Sequence, residues 1–133
     1  MFIGTAKKES TAVDNPAHYA VNDVVITLEP IDLLQYYNGL IFNALKYLLR
    51  APYKGKALED YKKALWYLDR FNSERRHIAF IGYCGDVTLV NAFRRSSKWV
   101  AMIIDEEGRV VEEDKLFEVL MEVSKTITKE KNK

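Results

Sequence analysis

The sequence predicts one α+β domain whose core is a helical hairpin, with a small β element in the C-terminal half and a terminal amphipathic helix. Three observations predict this fold. Apolar residues recur at helical spacing through residues 40–50 and again through 57–71. Residues 78–84 and 99–104 are short apolar runs typical of strands. Finally, 133 residues are about the size of one domain and can bury a single core.

The chain is therefore interpreted as a single domain, residues 1–133, with four segments. Residues 1–14 are predicted to form a loose N-terminal arm, and residues 15–76 the helical region. Residues 77–126 are an α/β extension, in which residues 87–95 fit either a strand or a helix. A helix from Asp114 to about Thr126 is expected to bury Leu116, Phe117, Leu120 and Val123. The lysine-rich residues 127–133 are predicted to fray.

The two central helices have the most regular pattern. Before them, the β-branched run Val24–Leu28 favours a strand, and Glu29-Pro30 indicates a helix start that is interrupted at Asn38-Gly39. The first long helix must end near Arg50, since Pro52 disfavours helical geometry in the residue before it. The second runs from about residue 57 to about residue 71. Their apolar faces are expected to pack together as an antiparallel hairpin.

Charge is distributed unevenly along this nearly neutral chain. The formal net charge of +1 argues against a general binder of duplex DNA, which is usually a strongly basic domain. Lysine and arginine are concentrated in residues 46–98, whereas aspartate and glutamate are concentrated in residues 105–122. A locally positive surface on a neutral chain suits a small anionic ligand better than a polymer.

The single cysteine and the absence of long apolar runs favour a cytoplasmic location. Cys84 has no partner for an intrachain disulfide, and its apolar surroundings favour a buried, inert thiol. No stretch approaches the ~20 apolar residues of a membrane span, and Lys7 and Lys8 are not followed by the apolar core of a signal peptide. We expect a cytoplasmic protein that binds neither membranes nor duplex nucleic acid.

Basic and aromatic residues on the polar faces of the hairpin are candidates for a nucleotide site. Trp66 lies among charged residues, so its ring either stacks on a base or belongs to a subunit interface. Lys46 and Arg50, one helical turn apart, are suited to gripping a phosphate. The alternative is a solvated face with ion pairs such as Glu59–Lys63. The candidate ligand-binding residues are Tyr19, Asn43, Lys46, Tyr47, Arg50, Lys54, Lys56, Lys63 and Trp66.

Candidate catalytic residues are His18, Glu59 and Asp60. His18 lies beside Tyr19 in a proline-containing segment, where it either contacts phosphate or ribose, acts as a general acid, or simply fastens the arm. Glu59 with Asp60 is a candidate Mg²⁺ site, as is Glu29 with Asp32, although two carboxylates alone are a weak signal. A nucleotide-bound Mg²⁺ is the cofactor expected if the protein is catalytic. The sequence has no Gly-x4-Gly-Lys-Ser/Thr loop, so any phosphoryl transfer would use another kind of site.

Several short motifs occur in a fixed order between residues 14 and 71. They are Asn15-Pro16-x-His18-Tyr19, Glu29-Pro30-Ile31-Asp32, Asn43-x-x-Lys46-Tyr47-Leu48-x-Arg50-Ala51, Lys54-Gly55 and Leu58-Glu59-Asp60-x-x-Lys63-Ala64-x-x-Tyr67-Leu68. In this order and spacing the chain resembles a small family of tailed-phage proteins of formerly unknown function, which includes a phage nucleotide kinase without a P-loop. Leu49 stands where tryptophan is usual, and nothing after Phe71 matches.

The resemblance implies a phage protein that acts on nucleotides in the cytoplasm of the infected host cell, as a homo-oligomer. Three hypotheses follow. The first is a kinase that transfers phosphate from a nucleoside triphosphate to a deoxynucleoside monophosphate. The second is an anti-defence protein that sequesters a nucleotide or a cyclic-oligonucleotide signal without altering it. The third is a structural oligomer in which Trp66 and Tyr67 lie at the interface.

Overall fold

The computed structural model describes residues 17–21, 24–53 and 55–133, with side chains from residue 27 onward. Two antiparallel strands, β1 (Ala17–Val21) and β2 (Val24–Leu28), pair with each other along their length. The helices that follow are α1 (Pro30–Leu34), α2 (Gly39–Arg50), α3 (Ala57–Glu74), α4 (Val87–Ser96), α5 (Lys98–Ile103) and α6 (Glu113–Lys131). A 3-10 turn, Arg75–His77, continues α3.

The prediction of a helical core is confirmed. Helix α2 packs along α3, and α3 also packs against α6. Side chains without accessible surface fill these contacts, among them Ile41, Leu45, Leu48, Ala64, Leu68, Phe71, Leu116 and Val123. Each buried leucine or isoleucine stabilises the fold by about 1.5–3 kcal/mol relative to exposure. Tyr47 of α2 stacks on Tyr67 of α3 outside this packing, so the polar sides of the two helices meet in one outer surface.

Local capping explains where α1 and α2 begin. The backbone N–H of Glu29 donates to Asp32 Oδ2 at 2.8 Å, in a reciprocal capping box at the start of α1. Asn38 interrupts the helical path as predicted, and its Oδ1 accepts a hydrogen bond from Leu40 N at 2.7 Å to cap α2. Helix α2 ends at Arg50, just before Pro52, also as predicted.

The strand predicted over residues 99–104 is wrong, since this run forms helix α5. Ser97 caps the helix by accepting a hydrogen bond from Val100 N at 3.3 Å. A short apolar run fits a buried helix as well as a strand, so periodicity alone cannot decide between them. The ambiguous residues 87–95 also form a helix, α4. The strand predicted over residues 78–84 is also wrong, since the described C-terminal half pairs only through the isolated bridges Tyr37↔Gly82, Tyr83↔Arg109 and Ile104↔Val110.

The last helix, α6, is longer than expected and continues to Lys131, through residues predicted to fray. Its buried side chains are Leu116, Val119, Leu120, Val123 and Ile127. The predicted burial of Phe117 is wrong, because its side chain is 57% exposed. The buried residues of α6 lie on the side of the helix that faces α3 and α5. Phe117 lies at the edge of that side and is therefore left exposed.

The segment 78–86 is tied to the body of the protein through Tyr37. The Tyr37 hydroxyl donates to the Gly108 carbonyl at 2.6 Å, and Tyr37 also bridges Gly82. Gly108 has φ +86° and lies so close to Cys84 that a Cβ atom would collide with the Cys84 carbonyl oxygen. A residue with a side chain would therefore not fit at position 108. Among the helices of the described residues, none combines the length and apolar character needed to cross a membrane.

Candidate functional site

Three cations converge on one aromatic ring on the outer surface of the α2–α3 hairpin. Lys46 Nζ lies 4.7 Å from the centroid of the Tyr47 ring, and Lys63 Nζ lies 5.2 Å from it. The guanidinium carbon of Arg50 is 5.7 Å from the same centroid. Lys46 and Arg50 come from α2, whereas Lys63 comes from α3, so the hairpin packing assembles this cluster. Cations this close to a ring are attracted by its electron-rich face.

Two further aromatic rings extend this surface. Tyr67 stacks on Tyr47 with a centroid distance of 6.0 Å and an interplanar angle of 12°. Trp66 meets Tyr67 edge-on, with a centroid distance of 5.1 Å and an angle of 86°. The Trp66 side chain is 60% exposed, so one large ring is available to a ligand. We call the surface formed by Lys46, Tyr47, Arg50, Lys63, Trp66 and Tyr67 the cation–aromatic face.

The charge of this face is only partly compensated. Arg50 Nε lies 3.8 Å from Asp60 Oδ2, and these two atoms make no hydrogen bond within the described residues. Neither Lys46 nor Lys63 forms a salt bridge with any described residue. Two ammonium groups and a half-buried guanidinium therefore produce a positive potential at the surface. Such a potential favours an anionic ligand.

Of the predicted catalytic and metal-binding carboxylates Glu59 and Asp60, only Asp60 reaches this face, through Arg50. Asp60 is 3% exposed and faces Arg50 from the first turn of α3, whereas its neighbour Glu59 is exposed. Glu59 and the predicted ligand residue Lys56 line an open groove beside Glu130 near the end of α6. Adjacent residues on a helix point about 100° apart, which explains why the two carboxylates separate.

The other carboxylate pair has a structural role. Glu29 and Asp32 are both buried and form the capping box of α1. No group of three or more His, Cys, Asp or Glu side chains suited to holding a metal occurs among the residues that the structure describes. Neither predicted carboxylate pair thus acquires a third ligand from this part of the chain.

Several other predicted residues are not available to the cation–aromatic face or have side chains outside the described residues. Asn43 Nδ2 donates to the Gly39 carbonyl at 2.8 Å, so its amide is engaged by its own helix. The backbone of His18 and Tyr19 belongs to β1, but their side chains lie outside the described residues, as does Lys54. Cys84 is buried, and this burial raises the pKa of its thiol, which disfavours the reactive thiolate.

Tyr67 belongs to the cation–aromatic face, although it was not among the predicted ligand-binding residues. Its position one turn after Lys63 on α3 was a usable signal, because residues four apart share a helix face. What the sequence could not reveal is the stacking of Tyr67 on Tyr47. That contact depends on how α2 and α3 are rotated against each other.

Comparison with known proteins relates part of the chain to a protein family. Residues 13–69 match the model of a family described as a protein of unknown function, DUF3310. The matched segment is less than half of the chain, but it includes α2 and all six residues of the cation–aromatic face. The chain is thus similar to this uncharacterised family over the segment that forms the candidate site. No curated protein and no solved structure matches the chain.

Proposed function

We propose that the protein binds a nucleotide or a nucleotide-derived small molecule on the cation–aromatic face. The observation that carries this proposal is the convergence of Lys46, Arg50 and Lys63 on the Tyr47 ring beside the exposed Trp66. A nucleotide has one anionic end and one flat end, and the face offers a partner for each. Phosphate oxygens would bind the lysines and Arg50, while the base stacks on Trp66.

Binding without turnover fits the geometry better than phosphoryl transfer does. Phosphoryl transfer depends on a metal held near the phosphates and a group that orients the acceptor. Asp60 is instead engaged with Arg50, and Glu59 lies in a separate groove. The proposal therefore places sequestration of a nucleotide or cyclic oligonucleotide first, with nucleotide kinase activity second. The phage origin and the cytoplasm of an infected cell, implied by the resemblance, are part of the same proposal.

Titration calorimetry with a panel of nucleotides tests the binding site. Replacing both lysines, in the variant Lys46→Gln/Lys63→Gln, removes two charged phosphate contacts. We expect the dissociation constant to rise at least about tenfold. The matched control, Lys115→Gln/Lys125→Gln, removes the same charge from α6. Equal weakening by both variants, or no binding of any nucleotide by the unaltered protein, would reject the proposed site.

The fluorescence of the two tryptophans offers a second test. Trp66 is exposed, whereas Trp99 is 5% exposed and packs against Tyr61 with a centroid distance of 6.1 Å. A base that stacks on Trp66 should quench the exposed component, and Trp66→Ala should raise the dissociation constant about five- to hundredfold. If Trp66→Ala instead changes the molar mass in solution and leaves nucleotide affinity unaltered, Trp66 is an interface residue.

Turnover is tested directly by incubating the protein with Mg²⁺, ATP and each deoxynucleoside monophosphate. Formation of the deoxynucleoside diphosphate that corresponds to the added monophosphate, together with ADP, would establish the kinase and reject pure sequestration. Recovery of chemically intact ligand after denaturing the complex supports sequestration. Asp60→Asn should abolish phosphoryl transfer only if Asp60 acts at the reacting groups.

A further inference from the structure

Helix α6 exposes two large apolar side chains that no described part of the chain covers. Phe117 is 57% exposed and Met121 is 51% exposed. They are four residues apart and so lie one above the other on the same side of the helix. Isolated exposed apolar residues are normal on protein surfaces, but an aligned pair on a helix forms the start of a packing seam.

The charges of α6 are segregated along its axis. Glu113 and Asp114 lie in its first turn, whereas Lys129 and Lys131 lie in its last turn. Lys115 and Glu130 also lie in these turns, but they line grooves on other sides of the helix. The side that carries Phe117 and Met121 is therefore acidic at one end and basic at the other. Two parallel copies of this helix would place acid against acid, whereas two antiparallel copies would place acid against lysine at both ends.

We infer that a second copy of the chain packs antiparallel against α6, through the seam of Phe117 and Met121. Charge complementarity between the two ends selects both the partner and its direction. The two-fold axis lies near residue 122, the midpoint of α6, so Met121 and Ser124 of both copies lie beside it. This interface involves a different helix from those of the cation–aromatic face, and the inference does not depend on the proposed function.

The predicted contact is small. A helix of this length spans roughly 28 Å, so it buries less area than a standard interface of about 800 Å² per partner. We therefore expect a weak dimer whose molar mass rises with concentration from 15.4 kDa toward twice that value. High salt should weaken it, because exposed ion pairs are screened when the Debye length falls to about 3 Å at 1 M.

Sedimentation equilibrium of charge-reversal variants tests the antiparallel pairing. Glu113→Lys/Asp114→Lys and Lys129→Glu/Lys131→Glu should each weaken self-association at least about tenfold, since like charges then meet at both ends. The fourfold variant that contains all four changes restores opposite charges and should recover the dimer. Failure of the fourfold variant to recover association would overturn the inference. Circular dichroism confirms that each variant keeps its helices.

Cysteine cross-linking supplies a second, geometric test. In the antiparallel pair, Met121→Cys or Ser124→Cys places two thiols beside the axis, so mild oxidation should give a covalent dimer. Lys131→Cys is the matched control, because its two thiols would lie roughly 25 Å apart. Cross-linking through position 131 as readily as through position 121 would indicate a parallel pair, in which each position lies beside its own copy, and would overturn the proposal. A monomeric mass at every concentration, with no cross-link at either central position, would also overturn it.

Discussion

Tyr47 and Tyr37 illustrate how one residue type is used differently in two regions of this protein. Tyr37 is buried, its hydroxyl donates to the Gly108 carbonyl, and its backbone bridges Gly82, so the residue joins segment 78–86 and the turn at Gly108 to the protein body. The Tyr47 ring lies on the outside of the hairpin, with three cations within 6 Å of its centroid. In the first arrangement the Tyr37 hydroxyl is paired within the chain, whereas the second places positive charge at the surface. Changes at the Tyr37 junction should therefore lower stability, and changes on the cation–aromatic face should lower affinity.

The largest effect is expected from Gly108→Ala at the Tyr37 junction. The new Cβ would collide with the Cys84 carbonyl oxygen, and alanine disfavours φ +86°. We expect a loss of about 2–4 kcal/mol in the free energy of unfolding, measured by urea denaturation. Gly55→Ala is the matched control, since Gly55 also has a positive φ (+72°) but nothing within 4 Å of the added atom. Equal losses for the two variants would contradict the packing described here.

Asp60→Asn should have the next largest effect. It removes the charge opposite Arg50 in a buried position and leaves the half-buried guanidinium without its anion. The expected loss is about 1–3 kcal/mol in the free energy of unfolding. Glu59→Gln changes the exposed neighbour in the same way and should cost less than about 0.5 kcal/mol. If instead Asp60→Asn leaves stability unaltered, the pair does not hold α2 to α3.

Tyr37→Phe removes one of two donors to the Gly108 carbonyl, which keeps its hydrogen bond from the Cys84 backbone N–H at 3.2 Å. We expect a loss of about 1 kcal/mol at neutral pH. Burial raises the pKa of the Tyr37 phenol well above its usual value near 10. The folded state therefore holds this proton more tightly than the unfolded state, so stability is intact below pH 10 and falls as pH rises above it. Tyr37→Phe should reduce this loss of stability at alkaline pH, measured by urea denaturation between about pH 8 and 11. If the free energy of unfolding of the variant falls with pH as steeply as that of the unaltered protein, the buried Tyr37 phenol is not its cause.

Lys46→Gln/Lys63→Gln should have the smallest effect on stability. Two cation–π contacts are lost, but repulsion between like charges is relieved at the same time. We expect the free energy of unfolding to change by less than about 0.5 kcal/mol while nucleotide affinity falls. A large loss of stability in urea denaturation would mean that the face is structural, like the Tyr37 junction.

The hairpin could be predicted well because its signals are local. Helix α2 ends before Pro52, and its buried positions recur at helical spacing, so neither feature needs a partner to be recognised. The C-terminal half was harder because residues 99–104 form a run too short to distinguish a helix from a strand. The helix is selected there by the Ser97 cap and by the packing of α5 against its neighbours. The candidate site was predicted in part, since Lys46, Arg50, Lys63 and Trp66 share one face. Asp60 reaches this face only through Arg50, from a buried position, and Glu59 lies in a separate groove.

The sequence alone determined which residues are apolar, charged or aromatic and at what helical spacing, and hence the hairpin and the residue types on its polar faces. Tertiary structure decided what those side chains meet: that Tyr67 stacks on Tyr47, that Asp60 is enclosed with Arg50, and that Phe117 stays outside. The physical reason is that periodicity fixes the direction of a side chain relative to its own helix. The neighbour in that direction depends on how the helices are rotated and packed against one another.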